Sequence, residues 1–533
     1  MGHSAWLGVA ASLAVAIGSA GAREGGGPQV RTTLGTLEGG REGEVDRFLG
    51  IRFAAPPTGE LRWRAPQPAP SWQGVRAAKS FGPSCPQALE APTQLAPLGP
   101  TSEDCLFLNI WRPAGAGQKS LPVLVWIHGG GFIAGSGSEA VFDGTPYAER
   151  DVILVTINYR LGRLGFFAHP ALALGHEDEP TGNFGYLDQV AALRWVQAHI
   201  AEFGGDPGNV TIAGESAGGA SVLALAASPM TEGLFHKAIV QSGAGLEPAR
   251  SIDVDAPGRP SAISAGRSYA ERYGIRGEDA AAAAALRALP VDVLAPPAPS
   301  IVEIMGIFAE GGPMIDGRLV IAAPGTLLRD GKGPAIPFLI GNTSMETAVW
   351  SFEAAGPGLV PLGGPFTAEG LMPAATPEER EALVGRYLET ARGDRPTALA
   401  MLSSALQWGM ASRDLAAATS QRAPTYFYRL EAVPTPGRTV TAGSPHGTDI
   451  FYMFSAIDHF RARPELVTDQ DRTTAALMTD YWAAFAKSGV PSSRAGPVWP
   501  AYTPADEMAL VISNGGAAAG RIPNVDALAA VRR

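Results

Sequence analysis

Asn209-Val-Thr-Ile-Ala-Gly-Glu-Ser-Ala-Gly218 decides how this chain folds. Residues 210–213 form a short apolar, β-branched run of the kind that fills a buried strand. Gly214-Glu215-Ser216-Ala217-Gly218 follows at once, and small and apolar residues continue to about Ala227 as a predicted helix. Strand, tight turn and helix in immediate succession are the setting in which a G-x-S-x-G pattern carries chemistry. The glycines are there for steric reasons: the turn is sharp and its apex strained, so the flanking residues must have almost no side chain. Such a turn lifts the serine oxygen above the sheet and sets it at a helix N-terminus, where the dipole favours developing negative charge. The five residues alone arise by chance in a chain with 66 glycines, and would then be only a structural turn. The strand before and the helix after make Ser216 a candidate nucleophile.

Further runs of the same kind occur at 123–127, 152–157, 238–241, 338–340 and 426–430. A predicted helix at 186–203 carries Leu187, Val190, Leu193 and Ile200 near helical spacing. Strands alternating with helices predict an α/β fold, with a mostly parallel sheet covered on both faces. Residues 250–300 are rich in Ala, Pro and charge, and predict a helical insertion with an Ala-rich helix around 279–289. The Gly/Pro-rich stretch 356–376 predicts a surface loop, and 478–487 an amphipathic late helix.

A serine nucleophile attacking a carbonyl generates an oxyanion that needs preorganised N–H donors. His128-Gly-Gly-Gly-Phe132 follows directly on the strand at 123–127, and consecutive glycines let backbone amides turn toward a ligand without Cβ clashes. The expected donors are the amides of Gly130, Gly131 and Ala217. No G-x-G-x-x-G opens a helix here, so a dinucleotide loop is disfavoured. The serine also needs a general base, and that base an orienting carboxylate, in the chain order Ser, acid, His. Only His236, His446 and His459 follow Ser216. His236 comes before the next strand and His459 lies in a helical stretch, whereas His446 sits among turn residues in Gly443-Ser-Pro-His-Gly447, after the strand at 426–430. Glu346 follows the strand at 338–340 within a few residues, at the strand end where α/β sheets place their chemistry. Asp316 is the rival acid, but Met314-Ile-Asp-Gly317 has the composition of a turn.

Taken together, these residues resemble the type-B carboxylesterase family, which includes the cholinesterases. The resemblance covers nearly the whole chain after the N-terminus. It rests on the elbow, the HGGGF loop, Gly50-Ile-Arg-Phe-Ala-Ala-Pro-Pro-Thr-Gly-Glu-Leu-Arg-Trp63, Ser102-Glu-Asp-Cys-Leu-Phe-Leu-Asn109, Asn158-Tyr-Arg160, Gly182-Asn183, Leu187-Asp-Gln189 and Phe203-Gly-Gly-Asp-Pro207. Tyr481-Trp-Ala-Ala-Phe485 and Trp499-Pro-Ala-Tyr502 close it. It implies an α/β-hydrolase fold with a Ser216, Glu346, His446 triad and oxyanion amides at Gly130, Gly131 and Ala217. It also implies a Cys85–Cys105 disulfide and two scaffold ion pairs, Arg62 with Glu103 and Arg160 with Asp188. Three features depart from the family. Arg52 stands where Pro is usual, and Thr343-Ser-Met-Glu-Thr347 lacks the usual Asp before and Gly after the acid. With two cysteines, no second disulfide is possible.

The formal net charge of −10 over 533 residues argues against nucleic-acid binding, because the phosphate backbone would repel it. Residues 1–22 contain an apolar run from Ala5 to Ile17 and end on Ala20-Gly-Ala22, the pattern of a cleaved signal peptide. That run is too short to span a bilayer, and no later stretch has the length of a transmembrane helix. The expectation is one α/β domain over 23–533, secreted or periplasmic. Exported cysteines meet oxidising conditions and join, here closing a loop of about 20 residues worth roughly 3 kcal/mol in the chain-entropy model. Neither Cys-x-x-Cys nor clustered His points to a metal, and the chemistry needs no cofactor.

The expected activity is hydrolysis of a small-molecule carboxylic ester through an acyl-enzyme intermediate. A lipase or amidase with the same residues, and a non-catalytic binding module on the same scaffold, are the alternatives. The stretch from Cys85 to Cys105 holds no Trp, Tyr or Phe, so it offers no ring to a quaternary ammonium group, and choline esters are not expected to be preferred. The alternative is that an aromatic residue from elsewhere, such as Trp350, fills that place.

Overall fold

In the strand Leu121–Ile127, side chains alternate between two cores: Val123, Val125 and Ile127 enter one, Leu124 and Trp126 the other. A strand apolar on both faces must be covered on both, and that requirement organises the molecule. The structure is a computed structural model. It describes residues 26–87, 99–117, 119–176, 179–246, 250–296, 311–353, 356–363, 365–460 and 464–532. The expected signal peptide at 1–22 lies outside the described residues, as do the middle of the Cys85–Cys105 loop and residues 297–300 of the expected insertion.

Among the described residues, the central sheet has eleven strands. Numbered within that sheet alone, they are β1 (Gly40–Glu42), β2 (Val45–Arg52), β3 (Phe107–Pro113), β4 (Leu121–Ile127), β5 (Ile153–Ile157), β6 (Gly205–Glu215), β7 (Lys237–Gln241), β8 (Phe338–Thr343), β9 (Thr425–Leu430), β10 (Met508–Ser513) and β11 (Gly516–Arg521). Their spatial order is β11-β10-β9-β8-β7-β6-β4-β5-β3-β2-β1. Strands β4 to β10 run parallel; β1 to β3 and β11 are antiparallel edges. This is the α/β class read from the sequence. From β4 the chain proceeds to β5 on one side, then crosses to β6 and builds outward on the other. The crevice at such a switch of direction, beyond the carboxyl ends of the strands, is where open α/β sheets bind ligands.

Four helices position the site: α1 (Phe184–His199), α2 (Ala217–Ala226), α3 (Thr448–Met453) and α4 (Asp469–Ser488). Helix α2 packs on β4, β6 and β7, with α1 beside it. Helix α4 lies against β4 and β6, and its Met478, Trp482 and Phe485 enter the core that holds Leu124 and Trp126. It starts at a capping box in which Thr468 and Asp471 exchange side-chain and backbone hydrogen bonds, well before the expected start at residue 478. Between 250 and 296 the chain forms the helices Ala262–Arg272, Ala280–Arg287 and Val291–Leu294.

One expectation is overturned. The stretch 356–376, expected as a surface loop, contains the strand Gly356–Pro361 and a helical turn, Ala368–Leu371, capped by Thr367. The strand pairs antiparallel with Met345–Glu353, which in turn pairs with Pro445–His446 to make a small separate sheet. Its prolines are tolerated because it is an edge strand, where an absent N–H costs no ladder bond.

Among the described residues, no helix is long and apolar enough to cross a membrane. Cys85 and Cys105 are bonded. Arg62 Nε donates to Glu103 (2.7 Å), and Arg160 Nε and Nη2 donate to Asp188 (2.8 and 2.7 Å). Both pairs are largely buried between chain segments far apart in sequence, as scaffold contacts.

Candidate active site

Ser216 sits at the end of β6 with φ 56° and ψ −123°, a left-handed conformation rare for a residue with a side chain. The surrounding packing enforces it. A Cβ on Gly214 would lie 2.4 Å from the Gly218 carbonyl, and one on Gly218 only 2.1 Å from the Ile127 carbonyl oxygen. Neither position accepts any other residue. Ser216 N–H donates to Gln241 O (2.9 Å), fixing the elbow to β7, and Ser216 O accepts the first bond of α2 from Ala220 N–H (2.8 Å). Ser216 is half-buried while its chain neighbours are fully buried.

The loop after β4 folds back on itself. Ile133 and Ala134 N–H both donate to Gly130 O (3.1 and 3.0 Å), and Gly130 and Gly131 have φ of 98° and 62°. A Cβ on Gly129 would stand 3.3 Å from Ser216 Cβ, so the loop lies directly against the serine. Among the described residues, the N–H groups of Gly130, Gly131 and Ala217 make no hydrogen bond within the chain. His128 stacks on Tyr159 at 4.3 Å, and burial holds its imidazole down at about 4, hence neutral.

Glu346 and His446 come together through the small sheet. Met345 pairs with Pro445 and Val349 with His446; Met345 N–H donates to Ser444 O (2.8 Å) and Ser444 N–H to Ser344 Oγ (2.8 Å). Glu346 is fully buried. Its Oε1 accepts from Ser242 Oγ (2.7 Å) and Thr343 N–H (2.6 Å), and its Oε2 pairs with His446 Nδ1. Asp316 is elsewhere: Oδ1 accepts the N–H groups of Arg318, Leu319 and Val320, and Oδ2 accepts from Asn183 Nδ2 (2.7 Å), as a turn-forming Asp does. His236 Nδ1 accepts from Val210 N–H at the far end of the sheet, and His459 is exposed.

The structure adds groups that the spacing did not single out. His446 Nε2 faces Glu215 Oε1 at 3.2 Å, and makes no hydrogen bond to Ser216 Oγ. Glu215 is buried, and burial first, then the negative charges of Asp449 and Glu346, push it up to about 8 against the pull of His446. Burial alone would lower the His446 pKa, but Glu215 and Glu346 outweigh it and raise the imidazole well above its ordinary range. Asp449 lies under this cluster, its carboxylate accepting from Tyr428 Oη (2.6 Å). Glu215 was visible only as the variable letter of the elbow, and Asp449 as a residue three after His446. Nothing in their spacing shows that both turn inward. Among the described residues, no group of three or more His, Cys, Asp and Glu side chains is arranged to hold a metal ion.

Residues 26–527 match the family described as the carboxylesterase family. Among curated proteins, the fumonisin B1 esterase of Sphingopyxis macrogoltabida is 34% identical over 482 residues, covering 88% of this chain and 84% of the relative. The para-nitrobenzyl esterase of Bacillus subtilis is 34% identical over 493 residues, covering 89% and 92%. Among solved structures, a carboxylesterase from Geobacillus stearothermophilus superimposes with a TM-score of 0.75 at 34% identity, covering 94% of this chain and 99% of its own. A thermophilic para-nitrobenzyl esterase gives 0.76 at 29% identity, with coverage of 94% and 99%.

Proposed function

The chain belongs to the carboxylesterase family and is a carboxylic-ester hydrolase; from that premise we propose that it works through a Ser216–His446–Glu346 triad and an acyl-enzyme intermediate. In this mechanism His446 takes the Ser216 proton as the serine oxygen attacks the ester carbonyl. The negative charge forming on the carbonyl oxygen is received by the N–H groups of Gly130, Gly131 and Ala217. His446 returns the proton to the departing alcohol, and water then releases the acid through the same groups. Glu346 fixes the imidazole so that Nδ1 carries its hydrogen and stabilises the imidazolium as it forms.

The observation that carries this proposal is the convergence of three elements at one crevice. A strained serine, three unengaged amides and a carboxylate-bound histidine arrive from the carboxyl ends of β4, β6, β8 and β9. His446 Nε2 rests on Glu215, the residue adjoining the serine. Catalytic hydrogen bonds at such sites are often long before substrate arrives, and tighten in the complex. The proposed relay requires His446 Nε2 to turn from Glu215 to Ser216 Oγ when substrate binds.

The test is labelling and loss. A fluorophosphonate should add to Ser216, located by peptide mass, and Ser216→Ala should lose about 10⁶-fold in kcat, the scale seen when a triad serine is removed, while keeping its melting temperature. Label on another residue, or a mutant that still turns over, defeats the proposal. Chromogenic esters and amides of rising acyl length, assayed on the same preparation, separate a short-chain esterase from a lipase or an amidase. Export to an oxidising compartment belongs to the same proposal, with the bonded cysteine pair in its support. N-terminal sequencing of the exported protein should start at residue 23.

A further inference from the structure

We propose that Gln87 is a positioning residue for the oxyanion loop, tying the Cys85–Cys105 crosslink to the amides that receive the developing charge; this rests on reading Gly130, Gly131 and Ala217 as those donors. The loop from His128 onward is held at its start by β4. Its far end is held by side chains from the neighbourhood of the disulfide.

Gln87 stands two residues after Cys85. Its Oε1 accepts from Gly135 N–H (3.1 Å), and its Nε2 donates back to Gly135 O (3.2 Å) and to Cys85 O (3.0 Å). Both hydrogens of the amide nitrogen and one lone pair of the oxygen are thereby used. The amide orientation is fixed as well, since a flipped group would set its oxygen against two carbonyls. On Gly135 the two bonds form a closed ring, the pattern by which one strand grips another.

Gly135 in turn supports the loop. Its φ is 110°, and a Cβ there would lie 2.3 Å from His128 Nδ1 and 2.7 Å from Gly129 O, so its backbone lies directly against those residues. Gly130 is as close to the preceding unit, 2.2 Å from the Ala134 carbonyl oxygen to where its Cβ would be. The path from Gln87 to the proposed donors is one hydrogen-bonded pair followed by backbone in contact. A second amide works from the other half-cystine. Asn158 Nδ2 donates to Cys105 O and Pro83 O (3.1 Å each), while its Oδ1 accepts from Gly137 N–H (2.8 Å) and Ser136 Oγ (3.1 Å). Gln87 is partly exposed and Asn158 is buried, so Gln87 is the link that can be altered with least risk to folding.

Oxyanion donors act where charge develops, so a loosened loop weakens transition-state binding more than ground-state binding. The variants are Gln87→Met, which keeps the length without hydrogen bonding, and Gln87→Glu, which keeps the acceptor for Gly135 N–H and loses both donations. Three quantities are measured in the full-length protein: amide hydrogen exchange over 128–137, kcat and KM for a neutral aryl ester, and the inhibition constant of an aryl trifluoromethyl ketone, which forms the tetrahedral adduct. For Gln87→Met the expected result is faster exchange over 128–137 with KM within about twofold of the parent and kcat down by about tenfold, less than the roughly 10²–10³-fold loss when an oxyanion donor is itself removed. Ketone affinity should fall by the same factor as kcat/KM. Gln87→Glu sets a carboxylate oxygen against the Gly135 and Cys85 carbonyls and should be at least as disruptive as Gln87→Met. Unchanged exchange in both variants overturns the clamp, because exchange is read without turnover. Faster exchange with kcat and ketone affinity unchanged overturns its catalytic consequence. A parent protein that neither hydrolyses esters nor binds the ketone would instead sink the functional proposal, and the exchange measurement alone would then decide the clamp.

Discussion

Ser216 and the proposed oxyanion loop are carried by two neighbouring strands of the central sheet, β6 and β4; Glu346 and His446 are 100 residues apart and meet on a small sheet outside it. The serine half is local. Its geometry is set mostly by consecutive residues, with Gly214 against Gly218 and a helix that starts at once, and is closed by Ile127 and Gln241 on the two adjoining strands. The acid–base half is assembled by pairing between distant segments, with Thr343 N–H and Ser242 Oγ, from the ends of β8 and β7, fixing the carboxylate. A local turn is specified by sterics within a few residues. A paired acid and base depend on the register of three short strands. The first half should therefore tolerate change in the rest of the molecule better than the second.

The sharpest test of the second half is Glu346→Gln against Asp316→Asn. An amide cannot stabilise the imidazolium as it forms, and comparable substitutions cost about 10⁴-fold in turnover, so Glu346→Gln should lose about that much in kcat. Asp316 serves a turn far from His446, and its replacement by Asn should cost about 1 kcal/mol of stability with near-normal turnover. If Asp316→Asn is the more damaging to kcat, the acid has been wrongly assigned and the small sheet is not the acid–base mount.

A smaller effect should appear where the two halves touch. His446 must be neutral to accept a proton, and its flanking carboxylates raise its pKa, so kcat/KM should rise with pH along a limb above the ordinary imidazole range. Glu215→Gln removes one of the three raising charges, Glu215, Glu346 and Asp449. The limb should then move to lower pH, by about one unit or 1.4 kcal/mol, making the variant relatively more active in acid. A pH–rate profile on a neutral ester checks this; a limb that stays put or moves upward breaks the link between Glu215 and the base.

The smallest effect concerns substrate choice. Trp350 is fully buried on the strand Met345–Glu353, its Nε1 donating to Thr448 Oγ1 (2.9 Å) and its ring meeting Phe460 edge-on at 5.0 Å. Its ring belongs to the core that holds Leu124 and Trp126 and offers no free face to a cation. A cation over an aromatic face contributes roughly 0.5–2 kcal/mol, so without one acetylcholine should gain no advantage in kcat/KM over phenyl acetate once leaving-group reactivity is allowed for. A clear preference for acetylcholine would show that a ring from another segment lines the crevice.

What the sequence determined by itself was everything set by neighbours along the chain. The apolar runs located β4 to β9 within a few residues, because a strand buried on both faces has to be apolar throughout. The elbow and the glycine loop were legible for the same reason, since a strained turn admits few residue types. The candidate acid and base were legible through chain order and strand ends, not through any contact between them. Only the tertiary structure decided that Gly356–Pro361 is a strand and not a loop, because its partner at Met345–Glu353 supplies the pairing that its own prolines and glycines do not advertise. Only the tertiary structure turned Glu215 and Asp449 inward beneath His446, and set Gln87 against Gly135 across 48 residues. Residue spacing encodes direction along an element. The charge surrounding an imidazole and the support behind a loop come from segments that meet only when the sheet has formed.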